Sequence, residues 1–364
     1  MIRSRSSTIS SSAEPRRRAL AAAFALLTAA LPAAAAAHRQ DRLLLAVPYP
    51  IEAAPSFPGG LFHWIDSLAG TTPGKTVPAH RAEYLRLFGP LTGEDRAQLT
   101  AFVAARAEHA QHEAAKALRD GVSPRASAML GVFCGSATID AALDRLRSEL
   151  TGEAWDGLAK ALAHFRPRYE VVWNDGAVPR AFLESARRDP GRRQLAELLT
   201  KIVRFFGVDP LKVPPPRLAL VPVPDGFGTH AEAIGGVLLL EIRSGDKLAD
   251  EASVVVHENS HFLWNLVPAE RQRRLAGFAA GLDDDSALTF RLFGEAIPTA
   301  LGQGVADRTF RPSSWSLDGP LYHTRDVDAC AKRIYATISS ALDAGLTLDE
   351  ELVRRAIQAA ETPR

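Results

Sequence analysis

Apolar positions recur at helical spacing through most of the chain beyond residue 92, and a strand-like pattern interrupts them in one short region. The run TGEDRAQLTAFVAARAEHAQHEAAKALRDG predicts a long helix capped by Thr92 and stopped at Gly121, with acidic residues early, where they suit the positive end. Two or three more helices are expected between about 137 and 166, and RRQLAELLTKIVRFFGVD predicts an amphipathic helix ending at Gly207. The texture changes at 213. VPPPRLALVPVPDGFGTHAEAIGGVLLLEIRSGD places Pro and Gly punctuation around two β-like runs, 218–223 and 237–242. Helical spacing returns over 246–267, 269–281, 286–303, 325–343 and 347–361. The Pro- and Gly-rich residues 41–80 read as an extended or loop segment. The expected fold class is therefore α+β, predominantly helical, with a small sheet just before the helix over 246–267.

The N-terminus differs from everything after it. Arg16, Arg17 and Arg18 precede ALAAAFALLTAALPAAAAA, and Ala35-Ala36-Ala37 supplies an A-x-A site, the pattern of a secretory signal over 1–37. RRRALAAAF also passes as a weak twin-arginine signal. The expectation is an exported protein, periplasmic or secreted, with no stable membrane span after cleavage. The rest divides into a mostly helical region, 38–212, and a region carrying the candidate chemistry, 213–364. A net charge of +1, without a Lys/Arg stripe, argues against nucleic acid as a partner. Cys134 and Cys330 fit either a disulfide, which an oxidising compartment permits, or two separate buried thiols.

Within the helix over 246–267 lies VVVHENSHFLWN. Asp246 is placed to cap this helix, Asp250 and Glu251 suit its first turn, and Pro268 stops it. Leu248, Ala252, Val255, Phe262 and Leu266 fall on one stripe, while His257 and His261 point away from it, as expected of a helix flooring a cleft. Imidazoles at i and i+4 converge on one tetrahedral ion, and Glu258, rotated off that face, is placed to take a proton from a bound water. The pattern predicts Zn2+ held by His257 and His261, with Glu258 as general base.

Zinc hydrolases need a third protein ligand. Trp264 and Val267 stand where a nearby Gly and third His would be, so the ligand must come from elsewhere. RLFGEAIPTALGQG offers Glu295, a carboxylate in an apolar helix that is costly to bury unpaired. Asp283, Asp284 and Asp285 are rivals, although an acidic run in a loop is more often a turn or cap, with Asp285 or Ser286 capping the next helix.

His257-Glu258-Asn259-Ser260-His261, followed by Gly294-Glu295-Ala296, resembles the gluzincin branch of zinc metallopeptidases, the thermolysin-like fold group, over roughly 215–305. The resemblance implies His257, His261 and Glu295 as ligands, Glu258 as base, and a zincin-like active-site helix beside a small sheet. GGVLLLEIR is similar in position to the edge strand that such enzymes use to hold an extended peptide. Two departures stand out. Gly294 replaces an Asn, and Thr299 replaces the Asp that orients a zinc histidine, so that contact is missing or supplied by another residue. Pro298 should also kink the helix at Glu295.

Peptide hydrolysis further needs a group to stabilise the oxyanion. PLYHTRD supplies His323 and Tyr322, His323 being the first choice, and His230 is another cleft candidate. His109 and His112 read as an exposed polar helix face. The functional expectation is an exported zinc metallopeptidase acting on peptide or protein. The alternative is a non-catalytic extracytoplasmic binding or scaffold protein on a zincin-like fold.

Overall fold

A computed structural model of the chain describes residues 42–45, 51–71, 76–120, 127–209, 215–225 and 229–361; the signal expected over 1–37 lies outside the described residues. Five strands form one mixed sheet: β1 (Leu43–Leu45), β2 (Ile51–Pro55), β3 (Arg217–Pro222), β4 (Ala231–Ile234) and β5 (Val237–Ile242). Their order is β1-β2-β3-β5-β4, with the two inner pairings parallel and the two outer ones antiparallel. β3 and β5 are almost continuously apolar because both faces of the sheet are covered. Alternation divides their side chains between two cores: Leu218, Leu220, Leu238 and Leu240 enter one, Ala219, Val221 and Leu239 the other.

The core containing Leu239 is completed by α1 (Phe57–Ala69), α2 (Val77–Phe88), α3 (Gly93–Asp120), α4 (Ala128–Cys134), α5 (Ile139–Leu146) and α6 (Gly152–Trp173). The opposite core is completed by α7 (Ala177–Arg188), α8 (Gly191–Phe206), α9 (Leu248–Leu266), α10 (Ala269–Ala280), α11 (Asp284–Thr299), α12 (Asp307–Phe310), α13 (Arg325–Asp343) and α14 (Glu350–Glu361). The protein is thus α+β and mostly helical, with helices on both faces of the sheet.

Several expectations change. The described residues within 41–80 are extended in β1 and β2, as expected, but they also supply α1 and the start of α2. Ser56 Oγ accepts from Gly59 N–H at 3.2 Å, and Pro58 sits in the first turn, so the Pro-Gly cluster is a helix start. Gly60 then allows close approach of α6, since a Cβ there would run into the Tyr169 hydroxyl. β2, from the region before 213, pairs with β3, from the region after it, in one sheet.

Asp246 does not cap α9. Its Oδ2 accepts from Arg243 N–H at 2.8 Å, and Lys247 occupies the cap position with its N–H bound to Asp250 Oδ2 at 3.0 Å. α11 is capped by Asp283, whose Oδ1 accepts from Ser286 N–H at 2.7 Å, rather than by Asp285 or Ser286. Cys134 and Cys330 are free, buried, and in opposite cores. Among the described residues no helix is long and apolar enough to cross a membrane.

Candidate metal centre

α9 packs its apolar stripe against the sheet and presents His257 and His261 on successive turns. α11 crosses α9 and brings Glu295 to both. Glu295 Oε1 lies 3.1 Å from His257 Nε2, Oε2 lies 3.3 Å from His261 Nε2, and the two imidazole nitrogens are 3.1 Å apart. A tetrahedral zinc with bonds of about 2.0–2.1 Å holds its ligand atoms roughly 3.3–3.4 Å apart, close to this spacing. Asp283, Asp284 and Asp285 lie at the exposed start of α11 and take no part.

The contact expected from an Asp at position 299 comes from elsewhere. Thr299 is buried, and its hydroxyl has no partner among the described residues. Gln303 Oε1 instead accepts from His257 Nδ1–H at 3.1 Å. Gln303 sits in a π-helical segment, Ala300–Ala306, that continues α11. No break occurs at Glu295 despite Pro298; the departure from α geometry follows it. π turns of this kind re-aim side chains at functional sites. Gly302 lets the segment press against α9, since a Cβ there would stand 2.5 Å from Ser253 O and 2.9 Å from His257 Cβ. The sequence signal for Gln303 was a polar residue between glycines in an otherwise apolar run.

The proton on His257 Nδ1 leaves Nε2 with its lone pair turned toward Glu295 and His261. Three electron-rich atoms then face one point, an arrangement that requires a cation or an extra proton. The titration behaviour expresses the same demand. Burial opposes protonation of His257, but the Glu295 hydrogen bond and the Glu258 and Glu295 charges outweigh it, and its pKa is raised. Burial would also raise the Glu295 pKa, yet hydrogen bonds from His257 and His261 hold it well below the usual carboxylate range. The donor set fits a divalent transition metal such as zinc.

These residues open on a cavity of about 930 Å3, which Glu258 also lines. Glu258 is half-buried, and its carboxylate has no hydrogen-bond partner among the described residues. Tyr322, not His323, is the nearer aromatic group: its ring lies parallel to His257 at 6.0 Å, and its hydroxyl helps to lower the Glu295 pKa. Burial first, then Glu295, pushes the Tyr322 pKa far up, so the hydroxyl stays a donor. His323 is exposed at the cavity rim. Asp328 of α13 holds this loop, its Oδ1 accepting from the N–H groups of Leu321 at 2.6 Å and Tyr322 at 3.1 Å.

Across the cavity lie His230, Ala231, Glu232 and Ala233. Among the described residues the sheet edge beside the site belongs to β4; GGVLLLEIR supplies β5, which is paired on both sides. His109 is buried and bonded to Glu149 at 2.8 Å, so it is not the exposed residue expected, while His112 is half-exposed. No protein-family profile, curated protein or solved structure matches this chain.

Proposed function

We propose that this protein is an exported zinc-dependent hydrolase, a metallopeptidase of the gluzincin kind, in which His257, His261 and Glu295 hold the ion. The observation that carries this reading is the convergence of two imidazole nitrogens and a carboxylate within 3.1–3.3 Å, in a cavity that also contains an unengaged Glu258. A zinc ion held by His257, His261 and Glu295 would supply Lewis acidity toward a carbonyl and toward water. Glu258 accepts the water's proton and returns it to the leaving amine. The Tyr322 hydroxyl donates to the oxygen that becomes negative. β4, the terminal strand of the sheet among the described residues, could pair through its backbone N–H and C=O groups with an extended peptide, which supports peptide as the substrate class. Export rests on the sequence signal over 1–37.

The test is a pair of substitutions read by metal content and peptide hydrolysis. Glu258→Gln is expected to keep zinc and lose turnover, and His261→Ala to lose both. Hydrolysis persisting in metal-checked Glu258→Gln would sink the mechanism.

A further inference from the structure

Glu241 stands in the apolar run VLLLEI of β5 and is fully buried. Alternation turns it to the same face as Leu239, away from α9 and toward the layer containing α1 and α2. There its Oε1 meets His63 Nε2 of α1 at 2.8 Å and His80 Nε2 of α2 at 2.9 Å. Its Oε2 accepts from the backbone N–H of His230 at 2.8 Å, and the His230 ring stacks on His63 with centroids 5.5 Å apart. His63 and His80 are each 1% exposed, so all three donor side chains are closed to solvent.

Two imidazole nitrogens on one carboxylate repeat the donor set of the cleft, from two successive helices and a strand distant from them in sequence. The cluster thus gathers two imidazoles and a carboxylate, all buried, with ligand atoms close enough together to share one ion, a donor set that suits the zinc class. A buried charge without a counter-charge is costly, and a divalent cation supplies one.

We propose that His63, His80 and Glu241 form a second, buried site for a divalent transition metal of the zinc class. Its burial makes it structural. It ties α1 and α2 to β5 and, through Glu241 Oε2 and the His230 N–H, fixes the chain where it enters β4 at the rim of the cleft. It does not depend on the catalytic reading.

The experiment is zinc stoichiometry by plasma mass spectrometry after reconstitution of the purified full chain. Wild type should hold about two ions, His261→Ala/Glu295→Ala about one, and that double variant with Glu241→Gln added none. The proposal is overturned if the double variant holds no zinc, or if its zinc survives Glu241→Gln. Loss of zinc from the double variant alone leaves the cleft site standing and removes this one; the opposite pattern does the reverse. Should Glu241→Gln fail to fold, cobalt in the double variant decides: visible bands of a coordinated ion, lost in His80→Asn, are expected, and their absence or persistence in His80→Asn overturns the proposal.

Discussion

Gln303 Oε1 accepts from His257 Nδ1–H at 3.1 Å, from roughly two turns beyond Glu295 along the same helical run. One continuous element, α11 with its π extension, therefore supplies both the candidate third ligand and the group that orients a candidate histidine ligand. Gln303 is itself held, since its carbonyl accepts from Trp315 Nε1–H at 2.9 Å. Gln303→Ala is expected to lower zinc affinity about 10–100-fold, measured by competition with a chromogenic chelator. Unchanged affinity would show that His257 needs no such partner.

Gly302→Ala tests the close approach. Its Cβ would meet backbone, Ser253 O at 2.5 Å, rather than the end of a flexible side chain. The π segment and α9 must separate, and the expected loss is about 1–3 kcal/mol of stability, read by denaturant unfolding, together with weaker zinc binding. A variant of wild-type stability would contradict the packing.

Tyr322→Phe removes the hydroxyl while keeping the ring against His257. Turnover should fall about 10²–10³-fold with zinc retained. Asp328→Ala touches neither the candidate ligands nor Glu258, yet frees the backbone of Leu321 and Tyr322 and should lower turnover in the same direction. If Asp328→Ala is fully active, the loop is held by other contacts.

Glu251 gives a pH signature independent of the metal. Burial, followed by the neighbouring Asp246 carboxylate, raises its pKa from 4.5 to about 8. Below 4.5 the carboxyl is protonated in both folded and unfolded chains and imposes no penalty. Between 4.5 and about 8 the unfolded chain ionises it and the folded one does not, so this group's contribution to stability is lost as pH rises through the window. Tm of wild type should fall across that range more than Tm of Glu251→Gln; parallel curves would exclude Glu251 as the cause.

Local signals carried much of the secondary structure. Thr92 capping α3, the αL Gly207 after α8 and the span of α13 follow from caps, stops and periodicity, which act between near neighbours. The motif histidines were legible for the same reason, since i and i+4 share a helix face by geometry alone. The Pro-Gly stretch before α1 misled because Pro in a first turn starts a helix as readily as it ends one, and only Ser56 bonding to Gly59 distinguishes the cases.

The sequence by itself determined the helical character, two strands of the sheet, and the placement of His257, Glu258 and His261 on one helix. Glu295 could be nominated from a carboxylate in an apolar run. Only the tertiary structure decided that it meets both histidines, that Gln303 rather than residue 299 orients His257, that Tyr322 stands closer than His323, and that β4 forms the edge. Each of these depends on how elements distant in sequence cross. Crossing is set by the packing of whole faces, to which a single polar residue contributes little, so the sequence around that residue does not announce its partner.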